Sequence, residues 1–114
     1  MRIYGVSQSS GVERRLHLEK GGEGIVLMIA DHAGNVERER IMLAPDVLLP
    51  AVMEKPEEAV TIEGKSPNLG TKKLLLLEVH GNEVLLTVRS ESDEGCDVAV
   101  GLDDFQDALE KVIS

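Results

Sequence analysis

The sequence predicts an α+β fold made by tandem duplication of a ββββα unit. The expected architecture is two antiparallel four-stranded sheets, with the two helices packed between or across them as a pseudo-dimer. Three observations lead there. Residues 1–43 lie over residues 60–102 at a shift of 59 without a gap, and ten positions are identical: Ile3/Ile62, Gly5/Gly64, Ser7/Ser66, Gly11/Gly70, Leu16/Leu75, Leu18/Leu77, Glu19/Glu78, Gly22/Gly81, Leu27/Leu86 and Leu43/Leu102. Chance would match about three, so the period reads as a repeat. The matched aliphatics alternate with other residues, as half-buried strands require. Each stretch then runs into a short segment with helical apolar spacing. The 114 residues suit one domain over 1–114, with a first repeat over 1–55 and a second over 60–114. Glu54–Ala59, with Pro56 and three glutamates, forms the joint.

Each repeat reads in the same order. The first strand is Ile3–Val6, and Val60–Glu63 in the second repeat. Turns rich in Ser and Gly follow at Ser7–Gly11 and Ser66–Gly70. The second strands are Val12–Lys20 and Lys72–Val79, closed by Gly21-Gly22 and His80-Gly81-Asn82. The third strands are Ile25–Asp31 and Val84–Arg89. The next turns carry Asp31–Asn35 and Ser90–Gly95, and the fourth strands are Val36–Leu43 and Asp97–Leu102. The last helix has Asp103 as its N-cap and Asp104 in its first turn, then Phe105, Ala108, Leu109 and Val112 along one face. The first helix opens on Pro45 and carries Val47, Leu48, Ala51 and Val52, with Pro50 as a distortion and a register slip of about one residue.

Composition narrows the chemistry. Hydrophobic residues make 42% of the chain and aromatic ones 2%, so the core must be aliphatic. Tyr4 and Phe105 are the aromatics. The net charge of −9 repels phosphate backbones at long range but leaves room for a local basic strip. Cys96 is the one cysteine, which rules out an intrachain disulfide and fits a reducing, cytoplasmic setting. The apolar runs are too short to span a membrane, and no signal peptide is expected. His17, His32 and His80 fall in different elements without metal-ligand spacing, and read as surface histidines. Asp31-His32 cannot form an acid–base pair on a strand, and Ser7 and Ser66 sit at turns where hydroxyls bond to backbone. No phosphate loop, nucleophile elbow or zinc pattern occurs. No catalytic residue, metal or cofactor is therefore expected, and the chain does not read as an enzyme.

The order and spacing of Ile62-Glu63-Gly64-Lys65, Lys72–Val79, His80-Gly81 and Val84–Arg89 resemble the core of the positive cofactor four family, small coactivators that bind single-stranded DNA. The junctions Ile41–Asp46 and Val100–Phe105 match that family's strand-to-helix step, with Phe105 near its helical Trp. A duplicated chain is similar in organisation to the Whirly proteins. The resemblance implies a transcription-associated module, with single-stranded DNA or RNA across the sheet. It carries the phosphate-binding role to Lys65, Lys73 and Arg89, and to Arg14, which matches Lys73. Val6 and Ala30 replace the basic residues at the places of Lys65 and Arg89. Arg15, Arg38 and Arg40 are extra basic strand residues of the first repeat.

Two features favour another reading, a protein-interaction or oligomerisation domain that has lost nucleic-acid binding. The repeats carry charges of −3 (7 basic, 10 acidic) and −6 (5 basic, 11 acidic) over residues 1–59 and 60–114. The third strands are apolar on both sides, so a sheet with the helices on one face needs a second cover. Another subunit, in a homo-oligomer, or the strand ends and loops would supply it; both stay open. Glu37-Arg38-Glu39-Arg40 places the arginines on one strand face and the glutamates on the other, as either a basic ridge or a charged edge strand guarded against aggregation.

Overall fold

A computed structural model describes residues 1–22, 24–90 and 95–113. Among these, eight strands and two α-helices follow in the order β1 (Arg2–Val6), β2 (Glu13–Gly21), β3 (Gly24–Asp31), β4 (Glu37–Leu43), α1 (Pro45–Met53), β5 (Val60–Lys65), β6 (Lys72–His80), β7 (Glu83–Arg89), β8 (Cys96–Gly101) and α2 (Leu102–Ile113). A short 3-10 turn, Ala33–Asn35, links β3 to β4. The strands fall on the alternating segments. The expected turn over Ser90–Gly95 lies mostly on 91–94, outside the described residues.

The strands do not make two sheets, and the expected pseudo-dimer of sheets is corrected here. Each strand pairs antiparallel with its chain neighbours, and β8 returns to β1, so all eight form one closed barrel. The halves meet at two short seams, where β4 touches β5 at Met42 and Lys65 and β8 touches β1 at Ala99 and Val6. Alternation states which residues share a face, and it is the same for an open sheet and a barrel. Two open sheets would leave four edges of unpaired N–H and C=O groups; closure removes them.

The helices do not lie between sheets either. Ile3, Leu16, Leu27, Ile41, Ile62, Leu75, Leu86 and Val98 from all eight strands form one buried cluster. Leu48 and Val52 of α1, and Leu102, Phe105, Ala108 and Leu109 of α2, belong to the same cluster. Both helices follow directly on strands that end at the β2–β3 and β6–β7 turns, so they stopper that end of the barrel. The amide of Leu102 bonds the Asn82 carbonyl at 2.8 Å, tying α2 to the β6–β7 turn. Helix α2 begins at Leu102, so Asp103 stands in the first turn rather than at the cap, where it and Asp104 still offset the helix dipole.

Pairing also corrects the repeat. Ile25 faces Leu43, and its counterpart Val84 faces Val100. A shift of 59 through the first three strands thus becomes 57 on the fourth strand. In this register Ile41 matches Val98, Arg40 matches Asp97, Leu48 matches Phe105 and Val52 matches Leu109. A β-bulge between Ile29 and Ala30 lies at this step. The identical pair Leu43/Leu102 is therefore a coincidence of sequence: Leu43 is a strand residue and Leu102 opens a helix.

Matched glycines make the seams possible. A β-carbon on Gly5 would lie 2.3 Å from the Ala99 carbonyl oxygen, and one on Gly64 would lie 2.5 Å from that of Met42. Backbone cannot yield as a side-chain tip can. Gly5→Ala and Gly64→Ala are each expected to lower unfolding free energy by about 2 kcal/mol or more, the range of overpacking in a tight interior. Urea melts that match the parent protein would show that the seams are looser than this.

Candidate nucleic-acid interface

The loop end of the barrel is closed by charge. Arg14, on β2, donates from Nε to Asp31 Oδ1 at 3.2 Å and from Nη1 to the Asp97 carbonyl oxygen at 2.7 Å. Asp97, on β8, also accepts the hydroxyls of Ser7 and Ser9, each at 2.7 Å, and the amides of Gln8 and Ser9 at 2.9 and 3.1 Å. The β1–β2 loop thereby wraps the carboxylate and latches β1 to β8. Arg38 donates from Nε to Asp31 Oδ2 at 2.8 Å. Near the other seam, Lys73 on β6 pairs with Glu39 on β4. Arg14 and Lys73, matched in the repeat, thus do the same structural work near opposite seams. Both are largely buried, and their charge is met within the chain.

These contacts set the carboxylate acidities. The Arg38 hydrogen bond holds Asp31 below its ordinary value, with Arg14 adding to it against the opposing effect of burial. Burial pushes Asp97 up, but the hydrogen bonds from Ser9, Ser7 and the two amides outweigh it, and the net is downward. Burial raises the Cys96 thiol, so it is not an activated thiolate.

A different group gathers on the outside of the first half. Interior residues alternate with outward ones along each strand. Arg2, His17, Met28 and Arg40 face one another in a line across β1, β2, β3 and β4. Tyr4, Arg15 and Ala30 form the next line. Met42 and Lys65 continue the face across the seam onto β5. Tyr4 is 60% exposed, and its ring meets His32 edge-on at 5.4 Å. The bulge brings Glu37 opposite Ala30, and Glu37 pairs with Arg40. The four charged residues therefore do not divide cleanly into two faces, and β4 is not an edge strand.

Several polar atoms on this face are buried without a partner among the described residues: Nε and Nη2 of Arg15, Nε2 of His17 and Nε of Arg40. Arg15 as a whole is 8% exposed. A guanidinium stays charged, so an unmade buried donor costs more than the ~1–3 kcal/mol of a neutral one. Sequence reading missed His17 and Arg2. The signal was present in the outward register of His17, two residues from Arg15, but required the pairing of β1 with β2 to be known.

The outward face of the second half is different. Arg15, His17 and Arg40 correspond to Leu74, Leu76 and Asp97, and Leu74, Leu76 and Leu85 are half-buried. Arg89 stands exposed at the end of β7 opposite Leu74. Of the seven basic candidates, the structure brings Arg15, Arg38, Arg40 and Lys65 onto or beside one face, with Arg38 tied to Asp31. Among the described residues no cluster suited to a metal ion is present, and no helix is long and apolar enough to cross a membrane. Comparison with family models, curated proteins and solved structures gives no match.

Asp97→Ala would remove the ion pair of Arg14 Nη1 with Asp97 Oδ1 at 3.3 Å while leaving its bond to the backbone carbonyl, and would take the shared carboxylate acceptor from two hydroxyls and two amides. It is expected to destabilise the fold by about 3 kcal/mol, as breaking a buried ion pair does. Both carboxylates titrate below the ordinary 3.8. Their stabilisation is complete above that value and is lost as pH falls through their folded values. Urea midpoints should therefore hold down to about pH 5 and fall below about pH 4, with a smaller fall in Asp97→Ala. An equal fall in both proteins would show that the latch does not titrate in this way.

Proposed function

We propose that the chain is a non-catalytic module that binds single-stranded DNA or RNA across the outward face of β1–β4 and onto β5. One observation carries the reading: Arg2, Arg15, Arg40 and Lys65 converge there with an exposed tyrosine, in a chain whose net charge is −9. Phosphates respond to the local field at contact, and the distant acidic residues are screened beyond about 10 Å at ordinary salt. Tyr4 offers a ring on which an unpaired base can stack, a contact worth ~1–3 kcal/mol. A duplex keeps its bases stacked inside and cannot use it. The resemblance of the sequence to single-stranded-DNA-binding coactivators supports the same reading. A reducing cytoplasm suits its lone, buried thiol.

A second reading rests on the other half. Leu74, Leu76 and Leu85 lie together on the outward face of β6 and β7 and are half-buried. Such a patch suits contact with a protein, in a homo-oligomer or a mixed complex.

Fluorescence anisotropy of a labelled oligothymidylate and its RNA equivalent tests the first reading. Binding should weaken as salt rises, and Arg2→Glu and Lys65→Glu should each lower affinity by about tenfold in low salt. Lack of binding at tens of micromolar protein (roughly the weak limit of non-specific contact) would refute it. A discrete oligomer in light scattering, broken by Leu74→Glu with Leu76→Glu, would favour the second.

A further inference from the structure

We propose that Arg15, His17 and Arg40 form a site for one phosphate-type oxyanion on the outward face of β2–β4. In nucleic acid the oxyanion would be a backbone phosphodiester. The site stands on its own geometry, and the identity of its natural ligand rests on the function proposed above.

The first support is the set of buried donors without partners. Nε and Nη2 of Arg15, Nε2 of His17 and Nε of Arg40 lie on β2 and β4, on either side of Met28 and Ala30. Neighbouring strands stand about 4.8 Å apart, so β2 and β4 flank a strip roughly 10 Å wide, which long side chains can bridge. An arginine fork matches the geometry of a tetrahedral oxyanion. Glu37 takes one Arg40 nitrogen and leaves Nε unmade.

The second support is the other half of the same barrel. Positions equivalent to Arg15, His17 and Arg40 hold Leu74, Leu76 and Asp97, and the strands there pair in the same way. The fold therefore does not need cations at these places. Burying them without acceptors is unfavourable for folding, which an anionic ligand would offset.

The third support is the local field. His17 faces Arg2 from β1 and the uncharged Met28 from β3, with Arg40 of β4 beyond Met28. Arg15 and Glu19 flank it on its own strand. Burial lowers its basicity, and Arg2, Arg15 and the N-terminal ammonium lower it further, while Glu19 opposes them. The free ring is thus neutral at neutral pH, and an arriving anion draws a proton onto it. Anion affinity should rise as pH falls through the range in which His17 titrates, and bound anion should raise the pH at which it does so.

The experiment uses the full chain and inorganic phosphate, followed by NMR of the His17 ring and the Arg15 side chain at constant ionic strength set with chloride. Saturable shifts are expected, and with sulfate, a dianion throughout this range, they should be tighter at about pH 5.5 than at about pH 8. Arg15→Leu should abolish the shifts of the His17 ring and His17→Leu those of the Arg15 side chain, and both should still fold, because leucine occupies the equivalent positions in β6. Arg15→Leu should also lower the slope of log affinity against log salt for oligothymidylate by about 0.7, one phosphate contact. Shifts no larger than chloride alone produces would overturn the site, and this measurement on the parent protein stands even if a variant fails to fold. Phosphate binding without oligonucleotide binding would keep the site and reject the nucleic-acid reading. Oligonucleotide binding weakened by Lys65→Glu but untouched by Arg15→Leu and His17→Leu would reject the site and keep that reading.

Discussion

Closure at two short seams is the constraint on which the rest of this structure depends. Each seam joins strands from different halves of the chain and has little ladder to hold it. Gly5 and Gly64 let the backbones approach, since a β-carbon at either place would strike a carbonyl oxygen. Arg14 then ties β2 to β8 through Asp97, and Lys73 ties β6 to β4 through Glu39. If a seam opened, the interior aliphatics of both halves would meet water together, because they form one cluster. The buried ion pairs are therefore best understood as latches. Their net energy is small once desolvation is counted, but loss of one partner leaves the other charge uncompensated.

The two ends of the barrel are closed by different physics. At the helix end, Leu48, Val52, Phe105 and Leu109 fill the opening with apolar volume. At the loop end, carboxylates and arginines from four strands neutralise one another. The helix stopper does not need the outward strand faces, and the loop-end latch uses one outward position, Asp97, so most of those faces can differ between halves. One carries Arg15, His17 and Arg40, and the other carries Leu74, Leu76 and Asp97 at the same places. The interior is thus closely matched between the halves, and the exterior is not.

Much of this was legible beforehand. The strands of both halves follow from alternation and glycine turns, whereas only the structure shows that no side chain fits at the matched Gly5 and Gly64. The apolar face of α2 was readable because Phe105, Ala108 and Leu109 keep helical spacing. The candidate site was legible only in part. Arg15 and Arg40 stood out as extra basic strand residues. Arg14 and Lys73, to which the resemblance carried phosphate binding, pair instead with carboxylates, and two of these, Asp97 and Glu39, come from strands distant in sequence. Asp97 looked like an ordinary strand residue, and nothing local showed that the Ser7–Ser9 loop would fold over it.

What the sequence determined by itself is local and periodic: which residues share a strand face, where the chain turns, and that one motif occurs twice. These follow from side-chain alternation and turn chemistry, which act over a few residues. The tertiary structure alone decided that eight strands close into one barrel, that the register between the halves is 59 on the first three strands and 57 on the fourth, and which cations pair within the chain. The reason is physical. Barrel closure and charge pairing depend on contacts between residues far apart in the chain, and the same alternating pattern is compatible with open sheets and with a closed one.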